Sequence, residues 1–236
     1  MSSSPPHLCL FDIDGTLLLS GGAGQAAMHR TLGDVFDLSD TTGEIAAAGR
    51  TDYAITADLF ADHGIDHTKE SLATFLDSYT GHLADVLPEL DGTVLPGVHE
   101  TLARLQAMPH VTLGLLTGNF FGAAVAKLQH FGLAQPFCER GTLETALGGY
   151  GDHDADRDDV ARRAWTAAER HPSDFAPERT WVIGDTPSDV QCGRAIGANT
   201  VAVATGMFDR DTLAACDPTV LLDTLEDAAW LERIAE

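Results

Sequence analysis

The chain has 236 residues, 44% of them hydrophobic, and a formal net charge of -22. That length and apolar content support one large core, or a core carrying a smaller domain. The charge disfavours nucleic acid and anionic membranes as partners, and no apolar run approaches membrane-spanning length.

Lysine occurs only at Lys69 and Lys127. Such a balance repels an anionic substrate at long range, so a site for one needs a local cation. It also suggests a halophilic protein adapted to high intracellular salt, where screening tames self-repulsion. Four cysteines, Cys9, Cys138, Cys192 and Cys216, lack metal-type spacing. They read as reduced thiols in a cytoplasmic protein. Residues 1–6 have neither a basic start nor an apolar run and are expected to form a loose, disordered tail.

In chain order, "LCLFDID" (8–14) predicts a short, fully buried strand of the kind parallel sheets use. It ends in Asp12 and Asp14, two carboxylates that resist ionising together unless something compensates them. From about 20 to 90 the texture turns helical, with apolar residues at helical spacing in 24–38, 51–65 and 69–87. This predicts a helical insertion of roughly 70 residues. Pro96-Gly97 opens an amphipathic helix. "HVTLGLLTGN" (110–119) is a second buried strand, followed by a helix stopped near Gly132. A weaker strand is expected near 136–141. Residues 148–159 read as a polar loop whose acidic part is solvated, and 160–171 as a helix. "RTWVIGDTPSDV" (179–190) is a strand ending in Asp185, with a helix start after it, and 199–206 and 219–225 look like further strands. The ten histidines lack ligand spacing and read as surface or packing residues.

Strands alternating with helices predict an α/β fold, a Rossmann-like parallel sheet core with helices on both faces. Ligands of such sheets bind at the carboxyl ends of strands. Asp12 to Thr16, Thr117 to Asn119, and Asp185 to Asp189 should therefore meet on one edge. Several carboxylates with few cations make a hard oxygen site suited to Mg2+. Thr117 adds a hydroxyl, and the helix after it is expected to offer free N–H groups to an anion. These parts point to phosphoryl transfer with a carboxylate nucleophile.

"FDIDGTL", "LLTGN" and "VIGDTPSDV", in that order, resemble the first, second and fourth motifs of the haloacid dehalogenase-like (HAD) hydrolases. The resemblance spans nearly the whole chain and points to the branch with phosphoglycolate phosphatase-like and beta-phosphoglucomutase-like members. It implies a Rossmann-like core over 7–18 and 93–236 with an inserted α-helical cap over 19–92. It implies that Asp12 is the nucleophile, forming an aspartyl-phosphate, and that Asp14 is the general acid and then base. Magnesium would be held by Asp12, Asp185, the Asp14 carbonyl and Asp189, the last directly or through water. Thr117, with N–H groups near Gly118 and Asn119, would bind the phosphoryl group. Thr16, beside Gly15, would order the loop after the nucleophile.

The third motif of the resemblance is a basic residue, commonly in a Lys-Pro pair that this chain lacks. Lys127 is the better candidate and Arg157 the alternative. "GRTDYAI" (49–55) resembles a cap segment, through which Arg50 would touch substrate, and "GGAG" (21–24) suits a hinge. The implied function is a phosphatase acting on a small phosphorylated metabolite, with phosphoglycolate the leading guess, in a monomer or homodimer. The alternatives are a beta-phosphoglucomutase-like sugar phosphomutase and a catalytically silent binding module.

Overall fold

The computed structural model describes residues 4–38, 41, 43, 45–138 and 142–235. The first apolar run forms strand β1 (His7–Phe11), buried throughout. A turn leads to β2 (Leu18–Leu19). Three helices follow, α1 (Ala23–Phe36), α2 (Asp52–Asp62) and α3 (Lys69–Val86). The Thr51 and Thr68 hydroxyls start α2 and α3 by accepting the N–H groups of Ala54 and Ser71, each at 3.1 Å. The chain returns through β3 (Thr93–Val94), which pairs antiparallel with β2. The helical stretch thus leaves and rejoins the sheet through a two-strand ribbon.

The rest alternates: α4 (Val98–Gln106), β4 (Val111–Leu116), α5 (Phe121–His130), β5 (Gly148–Gly149), α6 (Arg157–Glu169), β6 (Thr180–Gly184), α7 (Pro187–Ala195), β7 (Asn199–Val203), α8 (Arg210–Ala215), β8 (Val220–Leu222) and α9 (Glu232–Ala235). The main sheet runs β5-β4-β1-β6-β7-β8, and every pairing in it is parallel. Alternate residues of β1 feed opposite faces. Cys9 and Phe11 pack with Leu102 and Leu105 of α4 and Leu128 of α5. Leu8 and Leu10 pack with Ala161 and Ala164 of α6 and Cys192 of α7. The sheet is therefore covered on both faces, which is why its central strands are apolar without alternation.

The α1–α3 helices share their own apolar cluster, including Met28, Leu32, Phe60, Phe75 and Leu83. Phe60 and Phe75 meet edge to face at 5.6 Å. Phe120 and Ala123, at the start of α5, join this cluster and seat the helices against the carboxyl edge of the sheet.

Three expectations need correction. Residues Gln135–Phe137 form a 3-10 turn, because Pro136 has no N–H to give a ladder. Residues 139–141 lie outside the described residues, and the edge strand is Gly148–Gly149. The acidic stretch before 160 is not solvated to its end. Asp156 caps α6 by accepting the Asp158 N–H at 2.9 Å, so the helix starts at Arg157, which is buried. At the N-terminus, residues 1–3 lie outside the described residues, but the Pro6 carbonyl accepts from Arg179 Nε at 3.3 Å and is anchored. All four cysteines are free thiols. Among the described residues no helix is long and apolar enough to cross a membrane.

Candidate active site

Parallel pairing aligns Phe11 of β1 with Leu115 of β4 and Ile183 of β6. The ends of these neighbouring strands are therefore level, and they deliver Asp12, Thr117 and Asp185 to one edge. Asp189 arrives on the first turn of α7. Its Oδ2 accepts from the Thr186 N–H at 3.0 Å and the Thr186 hydroxyl at 2.7 Å, closing a capping box. Its Oδ1 accepts from Arg157 at 2.5 Å. Capping and site-building thus coexist in one side chain.

Asp12, Asp185 and Asp189 are all buried, and each offers a carboxylate oxygen within 4.8 Å of the others. Burial, then the Asp189 charge, pushes the Asp12 and Asp185 carboxyls upward. Arg157 lies against the cluster, 3.8 Å from Asp12. With all three carboxyls ionised, one guanidinium leaves two negative charges uncompensated, and that repulsion joins burial in raising Asp12 and Asp185. A divalent cation with hard oxygen preference fits that deficit.

Asp14 stands apart from this cluster and is partly exposed. Its Oδ2 accepts from Lys127 Nζ at 2.6 Å and from Asn119 Nδ2 at 2.8 Å. Asn119 also donates to the Thr117 hydroxyl at 2.8 Å, and its Oδ1 accepts from Lys127 at 2.6 Å. One amide therefore holds Thr117, Asp14 and Lys127 in fixed relation. Gly15 takes φ +83°, and a Cβ there would fall 2.3 Å from Asp185 Oδ2. Only glycine permits that approach. Thr16 donates to Asp185 Oδ1 at 2.9 Å, and Thr205 donates to the Gly15 carbonyl at 2.6 Å. The loop after β1 is thereby tied to both β6 and β7.

Both candidates for the basic residue reach the site, in different places. Lys127 serves Asp14. Arg157 lies between Asp12 and Asp189, buried with them. Of the two, Arg157 is the one that reaches the strand-end carboxylate of β1.

The helical stretch roofs the edge. Its segment 50–53 is clamped to the sheet loops: the Asp52 N–H donates to the Gly118 carbonyl at 2.7 Å and Tyr53 N–H to Gly151 at 3.3 Å. A Cβ at Gly118 would sit 2.0 Å from the Arg50 carbonyl, so this contact needs glycine. Arg50 borders the cavity below, but its guanidinium is paired with Asp58 at 2.5 Å. Gly21 and Gly22 take φ of +64° and +88° where the ribbon enters α1, while Gly24 lies within the helix.

The expected free N–H groups at the start of α5 are already engaged. Phe120 N–H donates to Asp52 Oδ2 at 2.9 Å, and Phe121 N–H donates to Asp152 at 3.2 Å. The helix dipole that would attract an anion instead attracts two carboxylates of the chain. Sequence reading missed both. Asp52 is buried, and burial pushes its carboxyl up to about 6 despite the pull of Lys127 and the Phe120 hydrogen bond. Its ionisation therefore costs stability that is complete above about pH 6 and fades as pH falls from there toward the ordinary carboxylate value. The available signal was Thr51-Asp52, a cap residue followed by an acid in a helix's first turn.

Roof and edge enclose a cavity of about 530 Å3, lined by Asp12, Asp14, Thr117, Lys127, Arg157 and Asp185 at its base.

A HAD-hydrolase-like family model matches residues 140–228. A probable phosphatase, IndB, from Dickeya dadantii is 27% identical over 93% of this chain and 90% of its own. A phosphoglycolate phosphatase from Synechococcus elongatus is 31% identical over 66% of each chain. Among solved structures, a predicted phosphoglycolate phosphatase from Haemophilus somnus superposes with a TM-score of 0.71 at 17% identity, covering 98% of this chain and 99% of that one. CbbY from Rhodobacter sphaeroides, solved with phosphate, gives 0.71 at 16% identity over 95% and 96%.

Proposed function

We propose, from the premise that this chain belongs to the haloacid dehalogenase-like hydrolase superfamily and is a phosphatase of it, that it is a magnesium-dependent enzyme cleaving a small phosphomonoester through a phosphorylated Asp12. The observation that carries this is the buried trio Asp12, Asp185 and Asp189 with its two uncompensated charges. Its hard oxygen donors fit magnesium, held by the Asp12 and Asp185 carboxylates, the Asp14 carbonyl, and Asp189 directly or through water. Bound magnesium supplies positive charge against the phosphoryl oxygens and the aspartates.

In the first step an Asp12 oxygen attacks phosphorus and the ester P–O bond breaks. Asp14 gives its proton to the departing alcohol oxygen. In the second step Asp14 takes a proton from water, which attacks the same phosphorus. Phosphate leaves and the Asp12 carboxylate is restored. Lys127 and Asn119 hold Asp14 Oδ2, while its Oδ1 takes only a long 3.5 Å bond from the Ser20 hydroxyl and serves the proton transfer. The Thr117 hydroxyl and the Gly118–Asn119 backbone hold a phosphoryl oxygen, and Arg157 balances the charge beside Asp12. Phosphoglycolate, the substrate named for the Synechococcus relative, is the reference compound for this class. The free thiols support a cytoplasmic setting, and the charge of -22 supports work at high salt.

Phosphate release from a panel of phosphomonoesters tests the reading, with magnesium and with EDTA, at low and molar KCl. Release is expected only with magnesium, and best at high salt. Metal-independent release, or isomerisation of glucose 1-phosphate without release, would contradict it.

A further inference from the structure

Above the reacting base, the cavity is walled by Leu19, Met28, Ile45, Ile55, Tyr79 and Met207. Among the described residues, Leu19 and Met207 are the exposed large hydrophobic side chains of the protein, at 42% and 81%. Both border this cavity. They extend the apolar wall of the cavity to its rim, so wall and rim together offer a continuous apolar surface to a bound group.

The charges around the cavity tell the same story. Its cationic side chains are Arg50, Lys127 and Arg157. Each is already paired with a carboxylate: Asp58 at 2.5 Å, Asp14 at 2.6 Å and Asp189 at 2.5 Å. Lys127 and Arg157 belong to the base, where the phosphoryl group lies. Among the described residues Arg50 is the cation lining the roof, and its guanidinium also donates to the Ala46 carbonyl at 3.2 Å. Gln25, on the same wall, donates one amide N–H to the Gly43 carbonyl and carries no charge to offset a carboxylate. Among the described residues, a carboxylate on the leaving group would meet apolar side chains, the carboxyl of Asp52 and only cations that already hold a carboxylate, in a molecule already strongly negative.

We propose that the leaving group is an uncharged alcohol with an apolar portion, so that the substrate class is a phosphomonoester whose only charge is the phosphate. This rests on the phosphatase reading above and narrows it. Contact with the wall favours each added methylene about fourfold, until the chain outgrows the cavity.

The test compares kcat/KM for 2-phosphoglycolate, its uncharged counterpart 2-hydroxyethyl phosphate, and ethyl, butyl and hexyl phosphate, all with magnesium. Calorimetry on Asp12→Asn gives the affinity of the same esters without turnover. The expected result is at least a tenfold preference for hydroxyethyl phosphate over phosphoglycolate, and about a fifteenfold gain from ethyl to butyl, in both measurements. Preference for phosphoglycolate, lost in Arg50→Gln, would overturn the inference and leave the phosphatase reading intact. Equal use of all alkyl chain lengths would also overturn it. Release from none of the esters, by protein that still gains thermal stability from magnesium, would overturn both.

Discussion

Asp12→Asn should abolish phosphate release while leaving a folded protein. Asparagine keeps the shape but lacks the charge and lone-pair basicity to attack phosphorus. Losing a group that forms the covalent intermediate costs on the order of 10⁴-fold or more in kcat. Stability should move the other way. Asp12 is buried, and its carboxyl is pushed up first by desolvation and then by Asp189. Removing that charge relieves the trio, so the metal-free variant should melt higher than the metal-free parent at neutral pH. A folded carboxyl raised above its unfolded value costs stability once pH rises past it. The same variant should gain less from added magnesium, because one of its carboxylate ligands is gone. Thermal melts with and without magnesium, beside the release assay, read both effects. Residual activity near the parent's would remove Asp12 from the chemistry.

Arg157→Met should be damaging twice over. The guanidinium is buried between Asp12 and Asp189, donating to Asp189 at 2.5 Å. Removing one partner of a buried ion pair leaves the other charge uncompensated, at a cost of about 3–5 kcal/mol. Asp189 also closes the cap of α7, so the loss reaches the loop carrying Asp185. In turnover, loss of a positive charge facing the transferring group costs about 10²- to 10³-fold. Arg157→Lys should recover part of the stability but less of the rate, since one ammonium cannot fill a planar fork. Lys127→Met should spare Asp12 and Asp189 and lower the rate through Asp14, so excess magnesium should not restore it. Chemical denaturation and kcat for the three variants separate these roles. Equal, small effects at Arg157 would contradict its placement beside the nucleophile.

The strand ends were legible because burial on both faces leaves a plain mark. "LCLF", "LGLL" and "WVIG" are unbroken apolar runs, and each stops at a polar residue on the same edge. The sequence offers Arg157 only as the alternative basic residue, because its neighbours conceal its burial. Seven of the twelve residues in 148–159 are polar or charged, and the stretch reads as solvated. Yet Asp156 starts a helix that turns Arg157 inward, and burial of a single arginine leaves no periodic trace. Asp52 and Asp152 were missed for a related reason. Each serves the start of α5, more than thirty positions away for Asp152 and further for Asp52. Contacts of that range depend on how the roof sits on the sheet, and local spacing does not encode it. Gly148–Gly149 lacks side chains to announce a strand, so the apolar signal for a sheet edge falls too early, near Pro136.

In the proposed mechanism phosphorus passes through Asp12. The stereochemistry at phosphorus tests it without needing the intermediate to accumulate. An ester made chiral at phosphorus with oxygen isotopes and thiophosphate is hydrolysed, and the configuration of the product is read. Each in-line displacement inverts phosphorus. Two displacements, onto Asp12 and then onto water, give overall retention, which is the expected result. Inversion would mean that water attacks the ester directly, and would contradict it.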